Sequence, residues 1–287
     1  MNLSDFLNVN RFVVLGGHKC GTSSLHSYLK QHPEIIMPID KGQDILGRYK
    51  LDIEDYKASY NINQIINHKT FGEVSSTYWK SETACLSIKK YFPNVKLLAI
   101  LRNPVDRAFS HYQMLSDEGK CQIKWEDICQ NPQNFNTNEI LTNGLYYNHL
   151  KLYLEEFKDK EICVLLFDSF VGDQKKFFSK LFYFVGVSQN FIPDTSYIVR
   201  KGGQKQGGKL QKILLSNNFM RATAKIMIRP FTSEKQRYIL GKKLSNLFVV
   251  KRKLPNQFKS NLIDYYREDI LKTQDIIDID LSHWLKT

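Results

Sequence analysis

One stretch, RFVVLGGHKCGTSSLHSYL at residues 11–29, leaves this chain few folding choices. Phe12, Val13, Val14 and Leu15 read as a short buried strand, and Gly16 and Gly17 end it. Lys19, Gly21, Thr22, Ser23 and Ser24 follow, after which Leu25, Tyr28 and Leu29 fall at helical spacing. Strand, glycine-rich turn with hydroxyls, and helix make the layout of a phosphate cradle. Backbone amides and the positive end of a helix dipole converge there on an anion.

The rest of the chain repeats the strand-then-helix rhythm. Strand-like apolar runs stand at 12–15, 70–74, 95–101 and 162–167. Helical patterns are expected near 22–31, 82–91, 104–118, 145–157 and 174–184. This alternation predicts an α/β fold, a central parallel sheet flanked by helices. Ligands of such sheets sit beyond the carboxyl ends of the strands, so the residues just after each strand carry the chemistry. Beyond Val187 the pattern changes. Residues 188–208 are polar, contain RKGGQKQGG, and read as a mobile loop or lid. Helical patterns at 209–228, 233–247 and 255–272 complete a single expected domain, 1–287, with its core at 11–187 and a basic loop and helical C-terminal part at 188–287.

Composition narrows the class. Apolar residues make up 42% of 287, enough for a sizeable core. No apolar run approaches the ~20 residues that span a bilayer, and MNLSDFLNVNRF has no basic segment leading into an apolar one. The five cysteines form no CxxC pair and read as reduced thiols, with no zinc site or disulfide framework. A soluble cytoplasmic protein is expected. The net charge of +12 is concentrated: between Lys201 and Ser260 stand 15 Lys or Arg and a single acid, Glu234. Such a block calls for an acidic partner, whether nucleotide, anionic glycan, nucleic acid or membrane surface, with 209–229 as the candidate membrane contact.

The cradle departs from the Walker pattern G-x-x-x-x-G-K-[ST]. Gly16 and Gly21 keep the spacing, but Thr22 takes the lysine position and Lys19 lies inside the loop. The third apolar run ends in Arg102, within LRNPVDRAFSHY, where magnesium-dependent chemistry would need an acid. Arg102 and Ser110 instead make a second anion site, a bidentate fork plus a hydroxyl. Two phosphate sites without a magnesium ligand imply a nucleotide carrying separated phosphates.

These residues carry a family resemblance. GGHKCGTSSL resembles the 5′-phosphosulfate loop of the PAPS-dependent sulfotransferases, and LRNPVDRAFSHY their 3′-phosphate-binding strand and helix. FGEVSSTY, GLYYNHLKLYLEEF and ICVLLFDSFVGDQKKFFSKLFYFVGV agree in order and spacing, nearest to the carbohydrate (heparan-type) and bacterial branch. The resemblance implies the P-loop NTPase-like sulfotransferase fold, PAPS as donor, PAP as product and no metal. It implies Glu73 as general base, from the G-E-x-S motif, and Lys19 on the sulfonate-bridging oxygen. Gly17, His18, Lys19, Cys20, Gly21, Thr22, Ser23 and Ser24 become the 5′-phosphate loop, Arg102 and Ser110 the 3′-phosphate ligands. Arg200, Lys201 and Gly202 become the basic glycine loop over the nucleotide. The chain differs at His18, at Val74, where a lysine is frequent, and in the segment MPIDKGQDILGRYK after the first helix.

The implied reaction moves the sulfonate of PAPS to a hydroxyl or amine of a small metabolite or glycan. His18, His111 and His149 are the other candidate bases. Two further functions compete: a P-loop metabolite kinase, and a basic protein binding nucleic acid or membrane surfaces through 209–252. Arg102 counts against the first. The second lacks an aromatic-interleaved nucleic-acid motif, and no nucleic-acid partner is expected.

Overall fold

The computed structural model describes residues 2–42, 44–49, 52–61, 69–136, 138–195, 204–205, 249–250, 254 and 256–287. Arg200, Lys201, Gly202 and both helices expected across 209–247 lie outside the described residues, as does Pro255.

Five parallel strands form one sheet in the order β2-β3-β1-β4-β5: β1 Arg11–Leu15, β2 Ile35–Ile36, β3 Thr70–Ser75, β4 Lys96–Leu101 and β5 Ile162–Leu166. β1 is central, and all five of its residues are buried. That is why RFVVL reads as a continuous apolar run after its arginine rather than as an alternation. Burying each of Phe12, Val13, Val14 and Leu15 stabilises the fold by roughly 1.5–3 kcal/mol.

The strands differ from expectation in three ways. β2 was not foreseen, because two residues carry no readable period. β3 runs to Ser75, so Glu73 lies inside the strand rather than at its end. Phe167 begins a helix instead of closing β5.

Helices cover both faces. α1 is Leu3–Asn8 and α2, which follows the glycine turn, is Thr22–Leu29. α3 is Ile53–Ala58, α4 Glu82–Tyr91 and α5 Pro104–Asp117. Two short helices follow, α6 Trp125–Gln130 and α7 Glu139–Thr142, then α8 Tyr146–Glu156. α9 Phe167–Gly172 and α10 Gln174–Val185 come after β5, and α11 Lys259–Ile277 comes late in the chain. Leu25 and Leu29 of α2 and Phe178 and Phe182 of α10 pack with Phe12, Val14, Val74, Leu98 and Ile100 of the sheet into one core cluster.

On α11, Asp269 caps α8: the Tyr146 and Tyr147 amides donate to its two oxygens at 2.6 and 3.2 Å. Burial lifts that carboxyl to about 6. A capping carboxylate suits an N-terminus that has no side-chain cap of its own.

The chain divides into two compact units. The first comprises Met1–His111, Ile123–Ile198 and Leu254–Thr287 and contains the sheet. The second comprises Tyr112–Gln122 and Val199–Lys253. Its described part includes an antiparallel pairing of β6, Gln204–Lys205, with β7, Val249–Val250.

Two histidines are held neutral by the packing. Burial, aided by Lys30 and Lys41, brings His26 of α2 down to about 4. Burial, aided by Arg107, brings His111 of α5 down to about 3. Both are free to protonate near 6.5 once unfolded. Their stabilising contribution is complete above that pH and is lost as pH falls towards the folded values. Thermal denaturation at pH 7, 6 and 5 should show a falling midpoint, each histidine contributing up to ~1.4 kcal/mol per pH unit below 6.5. His26→Gln should flatten the slope; an unchanged slope would place the acid sensitivity elsewhere.

Candidate active site

The cradle stands at the carboxyl end of the central strand. The turn after β1 must reverse into α2 within a few residues. Gly16 has no room for a side chain: a Cβ would meet the Ile100 methyl at 2.6 Å. Gly21 takes φ +86° against the Phe167 ring, where a Cβ would come within 2.7 Å. Lys19 is left-handed as well, φ 76°, which a side chain rarely adopts. Such strain persists only where the surroundings enforce it.

Two arginines enforce it. Arg102, just past β4, donates from Nη1 to the Lys19 carbonyl at 2.9 Å, with its guanidinium 4.9 Å from the Phe167 ring centroid. Arg107 of α5, fully buried, donates to the His18 carbonyl at 3.4 Å and to the Ile140 carbonyl. The Arg102 carbonyl accepts from Tyr146 Oη at 2.6 Å. The turn is thus strapped through its own backbone oxygens to the end of β4 and to α5, and Tyr146 of α8 holds Arg102 in turn.

Gly21 is the N-cap of α2 and supplies no side-chain cap. The first amides of the helix therefore receive no side-chain cap. Thr22 and Ser23 bring hydroxyls to the same end, while Ser24 is paired with Tyr28. Cys20 turns inward, 0% exposed, and its amide closes the turn on the Gly17 carbonyl at 3.2 Å. Within the cradle, Cys20 therefore serves the turn itself. Ser110 is half-buried on α5, two turns past Arg102.

His18 and His111 come together. Their rings stack with centroids 5.3 Å apart. Burial lowers the His18 pKa, opposed by Glu139, which Lys80 pairs. His149 lies apart, beside the Trp79 ring.

Glu73 occupies a different setting. It is 4% exposed, and both its oxygens accept hydrogen bonds: from Tyr56 Oη at 2.7 Å and from Tyr78 Oη at 2.8 Å. Burial raises its pKa, with the two tyrosines and Arg11 opposing. Arg11 is buried in a box of Phe6, Tyr56, Tyr60, Phe71 and Phe92 and donates to the hydroxyls of both tyrosines. Tyr78 Oη also accepts from the Leu46 amide at 3.0 Å. Glu73 thereby anchors the segment after β2 to β3. Tyr78 closes the FGEVSSTY stretch that holds Glu73, whereas Tyr56, seventeen residues back, shares no motif with it.

A family model described as "Sulfotransferase domain" matches residues 10–224. The chain belongs to the sulfotransferase family. Curated relatives include mouse bifunctional heparan sulfate N-deacetylase/N-sulfotransferase 1, 28% identical over 171 residues, 54% of this chain and 19% of the relative. The mouse enzyme numbered 4 in that series is 26% identical over 197 residues, 63% of this chain and 23% of the relative. The chain therefore spans about a fifth of the length of these two relatives. Among solved structures, a sulfotransferase from Alicyclobacillus acidocaldarius superposes with TM-score 0.70 at 23% identity, covering 97% of this chain and 99% of that one. Mouse sulfotransferase SULT7A1, solved with PAP, gives 0.52 at 15%, covering 96% and 90%. The parallel sheet expected from the sequence is thus the sulfotransferase fold.

The buried Glu73–Arg11 arrangement yields a stability test. Glu73→Ala leaves the Arg11 charge buried and uncompensated and should cost about 3–5 kcal/mol in denaturant unfolding. Pairing it with Arg11→Met should recover part of that loss, a coupling a double-mutant cycle reads directly. Additive losses would show that the two charges do not feel each other.

Proposed function

We propose that this member of the family transfers the sulfonate group of PAPS to a hydroxyl or amine of an acceptor. The observation that carries the reading is the strapped cradle. Open helix amides, two hydroxyls and Lys19 meet at one end of the sheet, and Arg102 holds that turn from the adjacent strand. Only one guanidinium nitrogen of Arg102 is engaged with the turn, which leaves further donors for a 3′-phosphate beside Ser110.

PAPS, when bound, supplies an activated sulfonate and a phosphate leaving group. The residues of this chain do the rest. The amides at the start of α2, with Thr22 and Ser23, hold the 5′-phosphate. Lys19 offsets negative charge growing on the leaving oxygen, a task of positioning and electrostatics. Arg200, Lys201 and Gly202 are proposed to cover the nucleotide. The acceptor is proposed to be a glycan or a small metabolite, and the concentration of positive charge at 201–260 favours an anionic one. Among the described residues no helix is long and apolar enough to cross a membrane. The proposed setting is cytoplasmic.

The acceptor's proton needs a base, and two residues are in contention. Glu73, proposed from its motif, has the raised pKa that a base benefits from. To meet an acceptor it must exchange one tyrosine hydroxyl for the acceptor's. His18 is favoured by its own observation: it is half-buried within the cradle turn, and burial lowers its pKa, which favours the neutral ring.

Purified protein should be stabilised thermally by PAP, by about 2.7 kcal/mol at a hundredfold excess over Kd. No shift at saturating PAP overturns the donor assignment. A labelled-PAPS screen across glycans, phenols and amines then identifies the acceptor, and turnover that requires magnesium and ATP would favour the kinase alternative. With an acceptor in hand, Glu73→Gln and His18→Gln are compared in folded protein. The variant that loses about 10²–10⁴-fold in kcat, with nucleotide binding retained, marks the base.

A further inference from the structure

A lysine from outside the loop motif sits on the cradle. Lys41 follows β2, and its ammonium donates to Thr22 Oγ1 at 2.9 Å and to Ser23 Oγ at 3.3 Å. These are the first two residues of α2, the end where the open amides lie.

A cation is in the wrong place at a helix N-terminus, which already carries the positive end of the dipole. Lys41 also lowers the pKa of both His18 and His26, so its charge is felt across the turn. Lys19 lies in the turn that leads into α2. The hydroxyls report the same polarity. Each gives its oxygen to Lys41, which leaves its own hydrogen to donate outwards.

The position of Lys41 is built rather than incidental. Upstream, Lys30 Nζ donates to the Ile39 carbonyl at 3.1 Å, and the Ile39 amide to the Ser59 carbonyl at 2.9 Å. Downstream, Asp44 accepts from Ser75 Oγ at 3.0 Å and Thr77 Oγ1 at 2.5 Å. Gly42 and Asp44 take left-handed backbone, φ 74° and 51°, which turns the chain sharply just beyond the lysine. Ties on both sides present the ammonium to α2.

We propose that Lys41 is a second cationic ligand of the donor, holding the sulfonate oxygens beside the 5′-phosphate that the α2 amides hold. This rests on the donor assignment above and extends it. The sulfonate is the part of the donor that PAP lacks. Lys41 therefore contributes to binding of PAPS and little to binding of PAP, and after transfer its grip on the remaining nucleotide relaxes. The sequence motif for the loop contains no trace of it, because Lys41 reaches the cradle across nineteen residues.

Calorimetric titration of the full chain with PAPS and with PAP, in the absence of acceptor, tests this. Lys41→Ala should weaken PAPS by roughly tenfold or more, the loss of one charge-assisted contact. PAP should weaken by less than about threefold, and Lys41→Arg should restore most of the PAPS affinity, since the charge is kept. Lys41→Gln, closer in size, gives a second reading of the same ratio should the alanine variant unfold. Equal losses for both nucleotides would reduce Lys41 to a structural tie on α2, and unchanged affinities would remove it from the site; either outcome overturns the proposal. If the wild-type chain binds neither nucleotide, the donor assignment has failed instead.

Discussion

A carboxylate buried inside a parallel sheet dictates much of what surrounds it. Glu73 lies in β3 beside Val13 of the central strand, sealed from water. An unpaired charge there would cost several kcal/mol, so the chain must bring donors to it. It brings Tyr56 from α3 and Tyr78 from the turn after β3. Arg11, at the start of β1, then completes the neutralisation by donating to the Tyr56 and Tyr60 hydroxyls and sits in its aromatic box. One acid thereby joins the first strand, the third strand, α3 and the segment around Leu46.

The consequence for function is geometric. The segment held by Tyr78 through the Leu46 amide is the one that carries Lys41 to α2 and Asp44 to the end of β3. The cradle itself is held from the other side by Arg102 and Arg107, which take carbonyls of the turn. A strained turn between two anchored flanks is preorganised, and electrostatic stabilisation of a developing charge gains most when its donors need not move.

The legibility of the sequence varied with the range of the interaction. The strand, the glycine turn and α2 are contiguous, and their steric demands show in residue type, so they could be read directly. β4 was clear for the same reason, a buried run of apolar residues. β2, α3, α6 and α7 escaped because six or fewer residues carry too little periodicity to separate from a loop. The motif around Glu73 implies a general base and says nothing of its burial. The strand that holds it continues to Ser75, and Tyr56 reaches it from α3, a place no local pattern indicates.

By itself the sequence determined the class of fold, the glycine turn proposed as the anion cradle and the family, since each rests on residues adjacent in the chain. Only the tertiary structure decided which charges share that cradle. Arg107 fastens the turn from α5, His18 stacks on His111, Cys20 faces the core, and Lys41 arrives from beyond β2. The physical reason is one of range. Sterics at a tight turn act between neighbours and leave a mark in the residue types, whereas electrostatic partners are selected by distance in space, which the order of residues does not record.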